Sequence, residues 1–111
     1  MVVGVCRITL ALPGNRSLKS KRAVVRRILD RARNRFNVAG AEVDHLDSKT
    51  TMGLGFAVVS NSGRHASSML DSIGNFVQTA TEAVTTNRSA ELLHLNEFFD
   101  QPPAAQHVEP R

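Results

Sequence analysis

Ser17-Leu18-Lys19-Ser20-Lys21-Arg22-Ala23-Val24-Val25-Arg26-Arg27-Ile28-Leu29-Asp30-Arg31-Ala32-Arg33-Asn34-Arg35-Phe36 is the most strongly patterned stretch of the 111-residue chain. At about 100° per residue, Leu18, Val25, Ile28, Leu29, Ala32 and Phe36 fall in one stripe, the spacing of an amphipathic helix. Ser17 predicts an N-cap whose hydroxyl accepts from a first-turn amide, worth about 1 kcal/mol. Asn37 is expected to close the helix as a residue that tolerates the left-handed cap. Away from the stripe the surface is basic, with Lys19, Arg22, Arg26 and Arg33 along one flank and Arg27, Arg31 and Arg35 on the far side. Like charges so crowded weaken an isolated helix, so the stripe must rest on a core.

The flanking segments supply that core. Val2 to Leu12 reads as a strand, with Val2, Gly4, Cys6, Ile8, Leu10 and Leu12 on one face and Val3, Val5, Arg7, Thr9 and Ala11 on the other. Pro13-Gly14-Asn15 ends it. After the helix, Val38 to His45 is a second strand, on which Ala41 and Val43 face one side and Glu42 and Asp44 the other. Asp47-Ser48-Lys49 is a polar turn. Thr51 to Ser60 is a third strand, where Met52, Leu54, Phe56 and Val58 alternate with Gly53, Gly55, Ala57 and Val59. Ser62 caps a second helix from about Arg64 to Thr79, striped by Ala66, Met69, Leu70, Ile73, Phe76 and Val77. Thr85 to Ser89 reads as a loop and Ala90 to Phe98 as a final strand. Residues 99–111 have no period and are expected to be a disordered tail.

Strand, helix, strand, strand, helix, strand with right-handed crossovers gives an α+β fold. It is the ferredoxin-like βαββαβ plait, a four-stranded antiparallel sheet with both helices on one face, over residues 1–98. The first and third strands, apolar or small on both faces, belong at its centre. Val3, Val5, Gly55 and Val59 then lie on the helix-free face, so a homodimer through that face is expected.

Composition narrows the function. A chain of this length suits one domain. It has no apolar run long enough for a membrane span and no basic leader of a signal peptide. The single cysteine, Cys6, excludes an intrachain disulfide and suits a reducing compartment, and its apolar setting reads as structural. The net charge of +4 conceals a division: residues 1–37 carry ten Lys and Arg against Asp30, and the remainder carries four against nine acids. Such an asymmetry points to a basic face meeting an anionic partner.

Arg16, Lys19, Lys21, Arg22, Arg26 and Arg33 are the candidate nucleic-acid-binding residues, with Arg7 nearby. There is no Trp or Tyr, and the five Phe mostly fit core stripes, which argues against base stacking and for recognition of phosphate and shape. Glu42, Asp44, His45 and Asp47 form the one cluster able to bind a metal or act in acid–base chemistry; pairing with the basic helix or with a dimer mate is the plainer reading. The turn Asn61-Ser62-Gly63-Arg64 could hold a phosphate at a helix N-terminus but reads first as a cap.

Four segments, Met1-Val2-Val3-Gly4-Val5, Ser17-Leu18-Lys19-Ser20-Lys21-Arg22, Ala41-Glu42-Val43-Asp44-His45-Leu46-Asp47 and Ala57-Val58-Val59-Ser60-Asn61, together resemble the YlxP-like bacterial proteins, a domain of unknown function. The similarity covers residues 1–98. It implies a ferredoxin-like fold, a cytoplasmic location and a link to ribosome assembly or translation, and it brings no catalytic residues. Where Ser48-Lys49-Thr50-Thr51 stands, members of that family commonly have a Trp-containing segment. The expected function is therefore a non-catalytic RNA- or ribosome-binding accessory factor, with no cofactor and no metal. The rivals are a module that binds an acidic protein and, further off, a metal-dependent enzyme using Asp44, His45 and Asp47.

Overall fold

The computed structural model describes residues 1–95. The expected end of the last strand at Phe98 and the tail 99–111 lie outside the described residues. Six elements follow one another: β1 (Val2–Ala11), α1 (Leu18–Arg35), β2 (Ala39–Asp44), β3 (Thr51–Ser60), α2 (Gly63–Thr79) and β4 (Val84–His94). The strands form one antiparallel sheet in the order β2-β3-β1-β4. This is the ferredoxin-like plait, with β1 and β3 at its centre in unbroken register from Val2↔Ser60 to Ala11↔Thr51.

The core lies between the sheet and the helices. From β1 and β3 it takes Ile8, Leu10, Met52, Leu54, Phe56 and Val58, all nearly without solvent contact. Against them α1 buries Val24, Val25, Ile28, Leu29 and Ala32, while α2 buries Ala66, Leu70, Ile73 and Val77. Val24 joins the predicted stripe, and Leu18 and Phe36 at its ends are only partly covered. Magnitudes settle why this helix survives its own charge. Like-charge neighbours such as Arg22 and Arg26 cost roughly 0.2–0.5 kcal/mol each. Each large apolar side chain buried on the opposite side returns roughly 1.5–3 kcal/mol.

Both helix starts are as expected. Ser17 Oγ accepts from Ser20 N at 3.0 Å, and Ser62 Oγ accepts from His65 N at 3.2 Å. The end of α1 is not. Phe36 caps it in extended conformation (φ −127°), and its amide donates to Ala32 O at 2.8 Å. Phe36 meets Phe76 edge to face at 5.6 Å, which turns the chain directly toward β2, so Asn37 is never called on to be left-handed.

Two further expectations change. The last strand starts at Val84, so Thr85 to Ser89 pair with β1 instead of forming a loop. An edge strand with one face in water tolerates such polar residues, and Thr86 Oγ1 donates to Thr9 O at 3.2 Å near a bulge at Thr9/Leu10. Second, β2 carries a bulge between Glu42 and Asp44. Glu42 pairs with Leu54 and turns toward the helices, whereas Asp44 pairs with Gly53 and turns to the helix-free face. One extra residue reverses the alternation, so the two carboxylates do not share a face.

That bulge needs Gly53. A Cβ built there would stand 2.5 Å from Asp44 Cβ and 3.3 Å from two Asp44 backbone atoms, none of which can swing aside. Gly53→Ala is expected to destabilise the fold by about 1–3 kcal/mol in urea unfolding with an unchanged m-value.

Candidate functional site

The surface of α1 divides its cations into two groups. Arg27 lies 3.5 Å from Glu82, and Arg31 Nη1 donates to Ala80 O at 3.0 Å. Arg33 donates to Asp30 at 3.3 Å and to Gly40 O at 2.7 Å, while Arg35 stacks over Phe36 and Phe76. These four secure the far flank and the C-terminal half of the helix to its neighbours. Glu82, which is exposed, has its carboxyl held below the usual range, chiefly by hydrogen bonds from its own backbone amide and the Thr81 hydroxyl, then by Arg27 and Arg31.

Arg16, Lys19, Arg22 and Arg26 form the other group. All four are exposed, and none makes a hydrogen bond or ion pair with any described residue. Lys19, Arg22 and Arg26 follow the i, i+3, i+7 line of one helix flank and span roughly 10 Å of its axis. That length matches about three steps of a stacked strand at ~3.4 Å each. The first turn holds no acid, so nothing local neutralises this end of the helix, where the amides add their own positive potential. Arg33, expected to extend the ridge, is committed at its Nη atoms to Asp30 and Gly40.

Lys21 does not belong to this surface. Its side chain is wholly out of water, with Nζ donating to His45 O at 2.8 Å, Thr51 O at 3.3 Å and Leu46 O at 3.4 Å. Glu42 Oε2 stands 3.0 Å from the same ammonium; the angle is poor for a hydrogen bond, but two charges this close and this dry still attract. Lys21 therefore ties α1 to the β2–β3 turn, in which His45 takes a positive φ of 61°. The signal was present in its spacing. Lys21 lies four residues before Val25 and seven before Ile28, squarely on the apolar stripe, but its charge argues for solvent.

The same turn is tied a second time. Asn15 Nδ2 donates to Ser17 O at 2.8 Å and Lys49 O at 2.7 Å, which sets Lys49 beside the start of α1. Asp44 accepts from Arg7 Nη1 at 3.0 Å. Glu42 and Asp44 are thus both engaged by basic side chains, and among the described residues no three His, Cys, Asp or Glu side chains come together. The turn at Ser62 is a helix cap.

The family model "Protein of unknown function (DUF503)" matches residues 3–89. The chain belongs to the DUF503 family. It is also 37% identical over 70 residues to the "Uncharacterized protein YlxP" of Bacillus subtilis (strain 168), covering 63% of this chain and 76% of that one. The DUF503 match spans all of α1 and both ties of the β2–β3 turn, so the Lys21 anchor and the free ridge lie within the family's own region. No helix among the described residues is long and apolar enough to cross a membrane.

Cys6 completes the chemistry of the sheet. It is half-buried, and burial raises its thiol pKa above the ordinary value despite the opposing pull of Arg88 and a Phe56 backbone hydrogen bond. A raised folded value means stability that is full below the ordinary thiol pKa and is lost as pH rises through the folded one. The expected result is slow alkylation by iodoacetamide at pH 8 in the native protein, accelerating at least tenfold in denaturant.

Proposed function

We propose that this DUF503 protein binds RNA, free or in a ribosomal subunit, through Arg16, Lys19, Arg22 and Arg26, as a non-catalytic accessory factor in ribosome assembly or translation. The observation that carries this reading is four exposed cations, three along one flank of α1 and Arg16 just before it, that make no hydrogen bond or ion pair with any described residue. Surface arginines kept for stability or solubility would be expected to find carboxylates, as Arg27 and Arg33 do. The assembly or translation role follows the resemblance to YlxP-like proteins, and a cytoplasmic location follows from it.

Recognition is of backbone, not bases. Phe36, Phe56 and Phe76 lie on the helix side of the sheet, so among the described residues the open sheet face offers no ring on which a base could stack. Four neutralised phosphates give a log–log salt slope of about −3 on single strands. Between about 50 and 200 mM salt this predicts roughly a 60-fold loss of affinity. Co-sedimentation with purified ribosomal subunits at those two ionic strengths tests the reading. Binding at the lower salt that largely disappears at the higher supports it. No pelleting with either subunit at low salt contradicts it, as does binding indifferent to salt, which is expected of an apolar protein partner.

A further inference from the structure

The turn between β2 and β3, residues 45–50, is pinned along its backbone. Lys21 Nζ donates to the carbonyls of His45 and Leu46, Leu12 N donates to Thr50 O at 2.7 Å, and Asn15 Nδ2 donates to Lys49 O at 2.7 Å. Inside the turn Ser48 N donates to His45 O, and Ser48 Oγ accepts from Thr50 N and Thr51 N. Asn15 Nδ2 also donates to Ser17 O at 2.8 Å, so the Ser17 and Lys49 oxygens, held by one nitrogen, lie within about 5.5 Å of each other. Lys49 is therefore a neighbour of Arg16 at the start of α1.

What these bonds leave out is the Lys49 side chain. It is exposed, and its ammonium makes no hydrogen bond or ion pair with any described residue, Asp47 two positions earlier included. A lysine kept to hold the turn down would use its ammonium, as Lys21 does. Lys49 gives the fold only its carbonyl.

We infer that Lys49 is a further phosphate contact of the RNA surface, carrying the line of Arg26, Arg22, Lys19 and Arg16 past the helix start and onto the turn. The inference rests on the RNA reading, which does not itself need Lys49. The pinned backbone fixes where the charge begins, so binding has only one flexible side chain to order there. An ammonium is a compact point charge that takes a phosphate without demanding one orientation, in keeping with recognition of backbone instead of bases. The first turn of α1 holds no acid, so nothing on the helix competes with the phosphate for this end of the surface.

The test is the affinity of the full chain for a single-stranded RNA oligonucleotide, measured across a salt series. Lys49→Ala should weaken binding about fivefold at ~0.1 M salt and make the log–log slope shallower by about 0.7 than that of the wild type. Lys49→Glu should weaken it about 25-fold, and Lys49→Arg should bind as the wild type does. The urea midpoint should not move in any of the three. Arg64→Ala is the control for net charge. Arg64 is exposed and without a partner among the described residues, but it lies at the start of α2, beyond the far end of the ten-residue β3. That is roughly 30 Å from the turn, about three screening lengths at ~0.1 M salt. Its removal should leave affinity and slope unchanged. Equal losses for Lys49→Ala and Arg64→Ala, or no loss in either, overturn the inference. If Arg22→Glu plus Arg26→Glu loses RNA while the Lys49 variants keep it, the inference alone fails; a wild type that binds no RNA at low salt removes the RNA reading and the inference together.

Discussion

Lys21→Met should destabilise the fold by about 3–5 kcal/mol. Methionine keeps the length and apolar stem of the side chain, so little packing volume is lost. What disappears is the ammonium that faces Glu42 and donates to the carbonyl oxygens of His45, Leu46 and Thr51. Glu42, whose side chain is 12% exposed, is left as a nearly dry carboxylate without its counter-charge. An orphaned buried charge costs far more than the net value of the pair, because desolvation is no longer offset. Lys21→Met combined with Glu42→Gln should therefore recover part of the loss. Urea unfolding of the two variants reads this directly. A loss below ~1 kcal/mol in the single variant would mean that the ammonium does not hold the turn. No recovery in the double variant would place the cost in the carbonyls alone.

Arg22→Glu with Arg26→Glu should lower RNA affinity by about 100- to 1,000-fold at ~0.1 M salt and leave stability nearly untouched. Each phosphate contact to a single strand contributes about 0.7 of a log unit there, and reversing a charge both removes an attraction and adds a repulsion. Two reversals thus amount to about three log units. The fold should accept them, since both side chains are exposed and have no partner among the described residues, and the Arg22/Arg26 repulsion is merely exchanged for a repulsion between two carboxylates. The corresponding pair Arg31→Glu and Arg35→Glu supplies the contrast. These arginines bond Ala80 O and stack on Phe36 and Phe76, so their reversal should cost stability more than RNA affinity.

Much of the fold was legible because its signals were periodic. The α1 stripe, the alternation in β1 and β3 and the two serine caps each follow from local spacing, and all appear where expected. The misreadings share a physical cause, which is that tertiary partners override local preference. Thr85 to Ser89 are polar enough for a loop yet serve as an edge strand because β1 supplies their hydrogen bonds. A single extra residue in β2 sends Glu42 and Asp44 to opposite faces, and no count along the chain reveals a bulge. Lys21 is the instructive case for the site. Within Lys19-Ser20-Lys21-Arg22, three cations look alike, but the helical angle puts Lys21 inward and Lys19 and Arg22 outward. Charge suggested one basic cluster; position divides it into an anchor and a contact surface. Arg33 was withdrawn from that surface by Gly40 O, a partner seven residues away that only the folded chain brings near.

The central claim is that Arg16, Lys19, Arg22 and Arg26, which have no partner among the described residues, meet phosphates. Its most direct test is the affinity of the wild-type chain for a single-stranded RNA oligonucleotide across a salt series, repeated with Arg22→Glu plus Arg26→Glu. The expected log–log slope is about −3 for the wild type and −1 or shallower for the variant, with affinity falling in step. Equal slopes and equal affinities for the two proteins would contradict it.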